Sequence, residues 1–257
     1  MPRPPVTKES GRYFLTDRIR EEVEWQRTQQ SLGHFPPPVQ KPVRAEATII
    51  TLPRQQDWQI PPYDLMKAIA GRESHRSFLP EPLSLTELAF LLWSTQGVRS
   101  VINKATVLRT VPSAGCRHPL ETYLAVLRVN GVQPGIYRYL PLDRALVHES
   151  SPDNLAGQLV SAARRQRFAG EAAVTFIWTA IPARTEWRYL EASYKVIALD
   201  AGHVCQNLYL ACGAIDAGTC AIAAYHQELA DQLLGVDGDE EFTVYLAPVG
   251  KVSQGKL

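Results

Sequence analysis

Residues 72–76 read Arg-Glu-Ser-His-Arg, and residues 109–115 read Arg-Thr-Val-Pro-Ser-Ala-Gly. Arg72, Ser74 and Arg76 place two guanidinium groups and a hydroxyl within five residues. Such donors suit the oxygens of a phosphate at short range. In Pro112-Ser113-Ala114-Gly115 the glycine has no Cβ and the alanine only a methyl, so the backbone can lie close against a flat ring. One segment favours an anion and the other tolerates an aromatic plane. A phosphorylated flavin presents both.

A chain of 257 residues can bury a full core as one domain with a terminal extension. Its 27 basic and 26 acidic side chains leave a formal charge of +1, and no basic run appears, which argues against a nucleic-acid partner. No stretch approaches the ~20 apolar residues of a membrane span. The first residues, Met-Pro-Arg-Pro-Pro-Val, lack an apolar signal core, so a cytoplasmic location is expected. The cysteines at 116, 205, 212 and 220 form neither a Cys-x-x-Cys pair nor a zinc spacing with any histidine, and no metal is expected. Cys205 and Cys212, seven apart, read as buried apolar groups on one helix face.

Several elements must position these residues. Residues 1–60 read as an extension: a helix from Tyr13 to about Leu32, then a proline-rich arm lying on the main body or on a partner subunit. The body, 61–257, opens with a short helix from Tyr63 to Gly71. Ser84-Leu-Thr-Glu87 is a capping box with Leu88, Leu91 and Leu92 behind it. Glu121–Val129 alternates as a strand does, and 135–139 and 145–148 suggest a hairpin. A helix follows Ser151-Pro152, and Ala173–Thr179 reads as a central strand. From Glu186 to about Cys212, apolar residues recur at threes and fours, which predicts one long helix. A strand near 219–223, a helix over 227–234 and a last strand over 242–248 complete an α+β body, a mixed or antiparallel sheet flanked by helices. His203, in mid-helix, is expected to pack in the core. Gln206 and Asn207 are expected to bridge helices or close a dimer. His118 is a further candidate for the substrate pocket.

No Gly-x-Gly-x-x-Gly, P-loop, Gly-x-Ser-x-Gly or His-Glu-x-x-His occurs, so a Rossmann dinucleotide site has no support. In order along the chain stand Arg72–Arg76, Arg109–Gly115, Gly135-Ile-Tyr-Arg-Tyr139, Asp200-Ala-Gly-His-Val-Cys-Gln-Asn-Leu208 and Val249-Gly250. This order, over roughly residues 60–252, resembles the nitroreductase superfamily. It is most similar to the SagB-type dehydrogenases, the branch that includes the azoline oxidases.

The resemblance implies a nitroreductase-like fold, with the long helix at the interface of a homodimer and one FMN in each of two intersubunit clefts. It implies two-electron, ping-pong chemistry at flavin N5 on a small-molecule or modified-peptide substrate, with NAD(P)H as a transient donor. On it, Arg72 and Ser74 would hold the phosphate and ribityl chain. Arg76 would face flavin N1 and O2, and Glu73 would orient the arginines. Pro112, Ser113 and Gly115 would reach the flavin from the partner subunit, and Gln166 would meet its edge. The loop through Ile222 and Ala223 would present a backbone N–H to N5, and Lys251 would add a cation for the phosphate. The azoline oxidases carry a Lys-Tyr pair where this chain has Arg188-Tyr189. Tyr189 can still move a proton, whereas Arg188 cannot act as a base near neutral pH. General NAD(P)H-dependent nitro or quinone reduction, or flavin binding without turnover, are the alternatives.

Overall fold

The computed structural model describes residues 6–253. Its strands are β1 (Ile49–Thr51), β2 (Val98–Asn103), β3 (Thr106–Arg109), β4 (Leu120–Val126), β5 (Gly135–Leu140), β6 (Ala145–Ser150), β7 (Val174–Ala180), β8 (Ala217–Thr219) and β9 (Phe242–Lys251). Its helices are α1 (Lys8–Leu15), α2 (Ile19–Glu22), α3 (Leu65–Ala70), α4 (Leu85–Gln96), α5 (Leu155–Ala162), α6 (Phe168–Glu171), α7 (Ala183–Tyr189), α8 (Ser193–Gly213) and α9 (Gln227–Leu234).

Seven strands form one sheet in the order β1-β6-β5-β4-β7-β9-β8, and every strand pairing in it is antiparallel. The strand period of two sorts the side chains of β4 and β7 between two cores. Leu120, Leu124, Val126, Phe176 and Trp178 meet Leu88, Leu92, Val204 and Leu208 of α4 and α8 on one face. Tyr123, Ala125 and Ile177 meet Leu159, Phe168 and Leu233 of α5, α6 and α9 on the other. Covered on both faces, β7 is apolar at nearly every position, as a central strand should be. The fold is therefore α+β in three layers.

The capping box at Ser84 and Glu87 is present and starts α4. Two helix expectations are corrected. The stretch 13–32 is not one helix. Reciprocal capping between Thr7 and Ser10 starts α1 earlier, Thr16 ends it in an extended conformation, and only α2 and a 3-10 turn follow. The long helix is also interrupted. Leu190 sits at φ 45 and ψ −130, which parts α7 from the 21-residue α8. A bulky residue at positive φ stores strain, and here it re-aims the turn that carries Arg188 and Tyr189.

The N-terminal arm lies on the body of its own chain. β1 adds to the sheet edge against β6. Arg109 donates to the carbonyl of Val39 at 2.8 Å, and Arg138 donates to those of Lys41 and Pro42 at 3.1 and 2.9 Å. These arginines belong to a buried charge network. Glu121 accepts from Arg184 at 2.5 Å, faces Arg138 at 3.7 Å and accepts from the Lys41 backbone N–H at 3.1 Å. Arg138 also pairs with Glu149 at 2.8 Å, and Lys41 with Glu241 at 2.5 Å.

Candidate functional site

The run Arg72–Leu79 is held along the β8 edge of the sheet. Ser74 bridges Thr219 in parallel, the His75 N–H donates to the Thr219 carbonyl at 3.0 Å, and the Leu79 N–H donates to the Lys251 carbonyl at 2.8 Å. The run can lie this close because Gly218 and Gly250 face each other across β8 and β9. A Cβ on Gly218 would stand 2.4 Å from the His75 ring, and one on Gly250 would stand 2.9 Å from Phe78. The two glycines make the bed in which the segment rests.

Arg72, Ser74 and Arg76 are exposed, and no carboxylate pairs with either arginine among the described residues. Glu73, expected to orient them, instead approaches His75 Nε2 at 3.4 Å. The Ser74 and Tyr209 hydroxyls are 3.0 Å apart, and the Ala221 N–H donates to the Tyr209 oxygen at 2.8 Å. The Arg72 guanidinium lies 5.4 Å from the centre of the Tyr209 ring. Tyr209 therefore links the cationic segment to the loop after β8. In that loop Ile222 exchanges both backbone bonds with Leu246. Ala223 and Ala224 are exposed residues, and their N–H groups make no hydrogen bond among the described residues. Gln166 joins the loop from below, donating from Nε2 to the carbonyls of Ala224 at 3.1 Å and Ala163 at 3.0 Å. Lys251 is already engaged, its Nζ donating to Glu87 at 2.5 Å and to the Ile215 carbonyl at 2.6 Å.

Two exposed cations, a hydroxyl and two free amides thus converge on one edge. These residues fit a phosphorylated planar cofactor, because the cations lack an anion and the amides lack an acceptor.

The second segment folds elsewhere. The Ser113 hydroxyl donates to Asp200 at 2.5 Å and accepts from the His118 N–H at 2.9 Å. Burial raises the Asp200 carboxyl, while the Ser113 and Ala114 donors pull it down. Gly115 sits at φ 59, in the left-handed region that glycine tolerates. A Cβ there would stand 2.8 Å from the Tyr189 hydroxyl and 2.9 Å from Arg188 Cδ, so Pro112–Gly115 and the Arg188-Tyr189 pair come together. Arg109, at the head of the segment, turns inward onto Gln96 and Val39, where burial lowers its pKa to about 10.

Asp200 and Tyr209 are nine residues apart on α8, which is about 14 Å of rise and half a turn of rotation. Within one copy the two clusters therefore stand on opposite sides of α8. His203, expected in the core, is exposed on the same helix. Asn207 does bridge helices, donating to the Ser94 carbonyl at 2.8 Å. Cys205, Cys212 and Cys220 are buried free thiols.

As site residues, Tyr209, Asp200, Gly218 and Arg117 emerge only in the folded chain. Tyr209 and Asp200 carried one usable signal, polar groups within an apolar helical repeat.

Burial pushes the His118 imidazole down to about 3, with Arg109 next in effect, so it stays neutral and its Nε2–H donates to the Val107 carbonyl at 3.1 Å. Its folded pKa lies below the free value of 6.5, so the unfolded chain takes up the proton first as pH falls. Stability is expected to drop by roughly 2 kcal/mol between about pH 6.5 and 5 from this group. His118→Gln keeps a donor for Val107 and should flatten thermal melts over that range. An unchanged slope would refute the assignment.

A model of the Nitroreductase family matches residues 69–251. The chain is 31% identical over 196 residues to a Methanocaldococcus jannaschii protein named as a nitroreductase, MJ1384, covering 75% of this chain and 95% of that one. It is 30% identical over 178 residues to the trifolitoxin-processing protein TfxB of Rhizobium leguminosarum bv. trifolii, covering 65% of this chain and 42% of TfxB. A crystal structure described as a nitroreductase from Ralstonia eutropha JMP134 superposes with a TM-score of 0.67 at 23% identity, over 86% of this chain and 96% of that one. No helix among the described residues is long and apolar enough to cross a membrane.

Proposed function

Because the chain belongs to the nitroreductase family, we propose that it is an FMN-dependent oxidoreductase of the SagB-type dehydrogenase branch. It works as a homodimer on a small-molecule or modified-peptide substrate. One observation carries the reading: the carboxylate-free run Arg72, Ser74, Arg76 is tied through Tyr209 to a loop with two free amides. FMN, when bound, supplies two-electron hydride chemistry at N5 and alternates between donor and acceptor. Arg72 and Ser74 hold its phosphate end. Arg76 provides positive charge where the reduced ring gathers negative charge. The amide of Ala223 would serve the N5 edge of the ring, and Gln166 holds the loop that carries it. NAD(P)H is the transient electron donor.

The division of the site supports the homodimer. The cationic segment and Pro112–Gly115 lie on opposite sides of α8, so in this reading a partner copy brings the second segment to the first. Exposed Leu65, Met66 and Ile69 of α3 and Leu199 of α8 give that contact apolar surface. The Trifolitoxin-processing relative favours a peptide substrate. Arg188 in place of a lysine, together with the MJ1384 relative, favours a second reading, NAD(P)H-dependent nitro or quinone reduction.

Purified protein is expected to show flavin absorbance and to bleach anaerobically when NADPH or NADH is added. Flavin uptake without bleaching by any donor would mark a carrier, and failure to take up FMN would overturn the reading. Arg72→Ala/Arg76→Ala should release FMN, with circular dichroism and Tm nearly unchanged because both side chains are exposed. Stoichiometric FMN retained by that double variant would reject the phosphate assignment.

A further inference from the structure

Gly115 stands between two guanidinium groups. Arg117 donates from Nε to the Gly115 carbonyl at 3.2 Å and from Nη2 to the Ala105 carbonyl at 2.9 Å. Arg188 runs along the open Cα side of the same glycine, with Nε 3.2 Å from where a Cβ would stand. Each cation is backed by a ring. Arg117 lies 5.0 Å from the centre of Trp187, and Arg188 lies 5.7 Å from that of Tyr189. Among the described residues neither guanidinium pairs with a carboxylate.

The surroundings do not supply one. Arg20, 5.7 Å from the Tyr189 ring centre, takes Asp17 at 2.9 Å, and Lys195 reaches that same carboxylate at 3.9 Å. Glu186, two residues before Arg188 on α7, lies on another side of the helix. Arg20 and Lys195 thus share one carboxylate, and Arg117 and Arg188 pair with none among the described residues. Burial first, and then repulsion from Arg188, lowers the Arg117 pKa. Arg188 is exposed and Trp187 and Tyr189 are half-buried, so a molecule from solvent can reach Arg188, whereas Arg117, only 5% exposed, adds its charge from within. Like charges held together beside half-buried aromatic rings are relieved by an anion with an apolar neighbour.

We propose that Arg188, with the charge of Arg117 behind it, binds a carboxylate of the substrate, and that the half-buried edges of Trp187 and Tyr189 flank the flat or apolar part next to it. The substrate is therefore a carboxylic acid with an aromatic or otherwise planar neighbour. Its link to turnover rests on the flavin reading, since Gly115 lies in the segment assigned to the ring. Its binding chemistry does not. A carboxylate could come from a free small acid or from an acidic side chain in a peptide.

The test is calorimetric titration of the full chain, with and without FMN, using phenylacetate and its neutral twin phenylacetamide. A second arm uses a capped peptide with one central glutamate and its glutamine counterpart. The acid of at least one pair is expected to bind about tenfold or more tighter than its neutral twin. The arm with the larger ratio identifies the source. Arg188→Gln, an exposed position, should abolish that ratio and leave binding of the neutral twins unchanged. Equal binding within both pairs, or a ratio that survives Arg188→Gln, overturns the proposal. Carboxylate preference in a protein that refuses FMN would sink only the flavin reading. FMN uptake without that preference would sink only this inference.

Discussion

Glu121→Gln is expected to destabilise the protein by about 3–5 kcal/mol, because it removes the shared anion of a buried ion network. Glu121 is 3% exposed and lies between Arg184 and Arg138, each also 3% exposed at the side chain. Arg138 keeps Glu149, but Arg184 would retain only the His118 carbonyl at 3.3 Å. A guanidinium without its anion in that setting is a desolvated charge. The effect should appear as a Tm lower by roughly 6–20 °C for a chain of this size. Arg184→Gln in the same background should cost less than the two single losses added, because the charges are removed together. A Tm within a degree or two of the parent would show that water or another group satisfies the arginines. The arm should loosen as well, since Lys41 donates its N–H to Glu121.

Gly218→Ala should weaken FMN binding by about 10–100-fold, from an overpacking strain of ~1–3 kcal/mol at the bed of the cationic segment. The new Cβ would stand 2.4 Å from His75 Cδ2 and 2.8 Å from His75 Cβ, closer than such atoms approach. Rotation of the ring cannot relieve the second contact, and the His75 N–H is tied to the neighbouring Thr219 carbonyl. The strain must therefore move Arg72–Arg76 away from Tyr209 and the Ala221–Ala224 loop. Gly11→Ala, with nothing within 4 Å of its Cβ, is the control and should leave FMN affinity unchanged. Quenching of flavin fluorescence on titration reads both. Equal affinity in Gly218→Ala and the parent would mean that the segment does not hold the cofactor.

Much of the scaffold was legible along the chain because its signals are local. The Ser84-x-x-Glu87 box needs only three residues of separation to start α4. The unbroken apolar run in β7 reports that both faces of that strand are covered, and the two cores bear this out. The breaks were not legible. Leu190 has no side-chain feature that announces a positive φ, and only the packing around it imposes one. The β2–β3 hairpin carries no such signal, because its outer strand is exposed at most positions and lacks an apolar alternation.

The candidate site divides the same way. Residue type and order alone determined that Arg72, Ser74 and Arg76 form a cationic, hydroxyl-bearing run and that Gly115 ends a small-residue turn. Those properties belong to side chains and need no neighbours. What each run faces was decided only in three dimensions. Arg72 meets Tyr209 across 137 residues of chain and Gly115 meets Arg188 across 73, separations at which no spacing rule operates. Lys251 and Glu73, cations and anions by type, were given their partners Glu87 and His75 by the sheet edge. A side chain's chemistry is carried by its own atoms, whereas its partner is chosen by the closing of long loops around a common core.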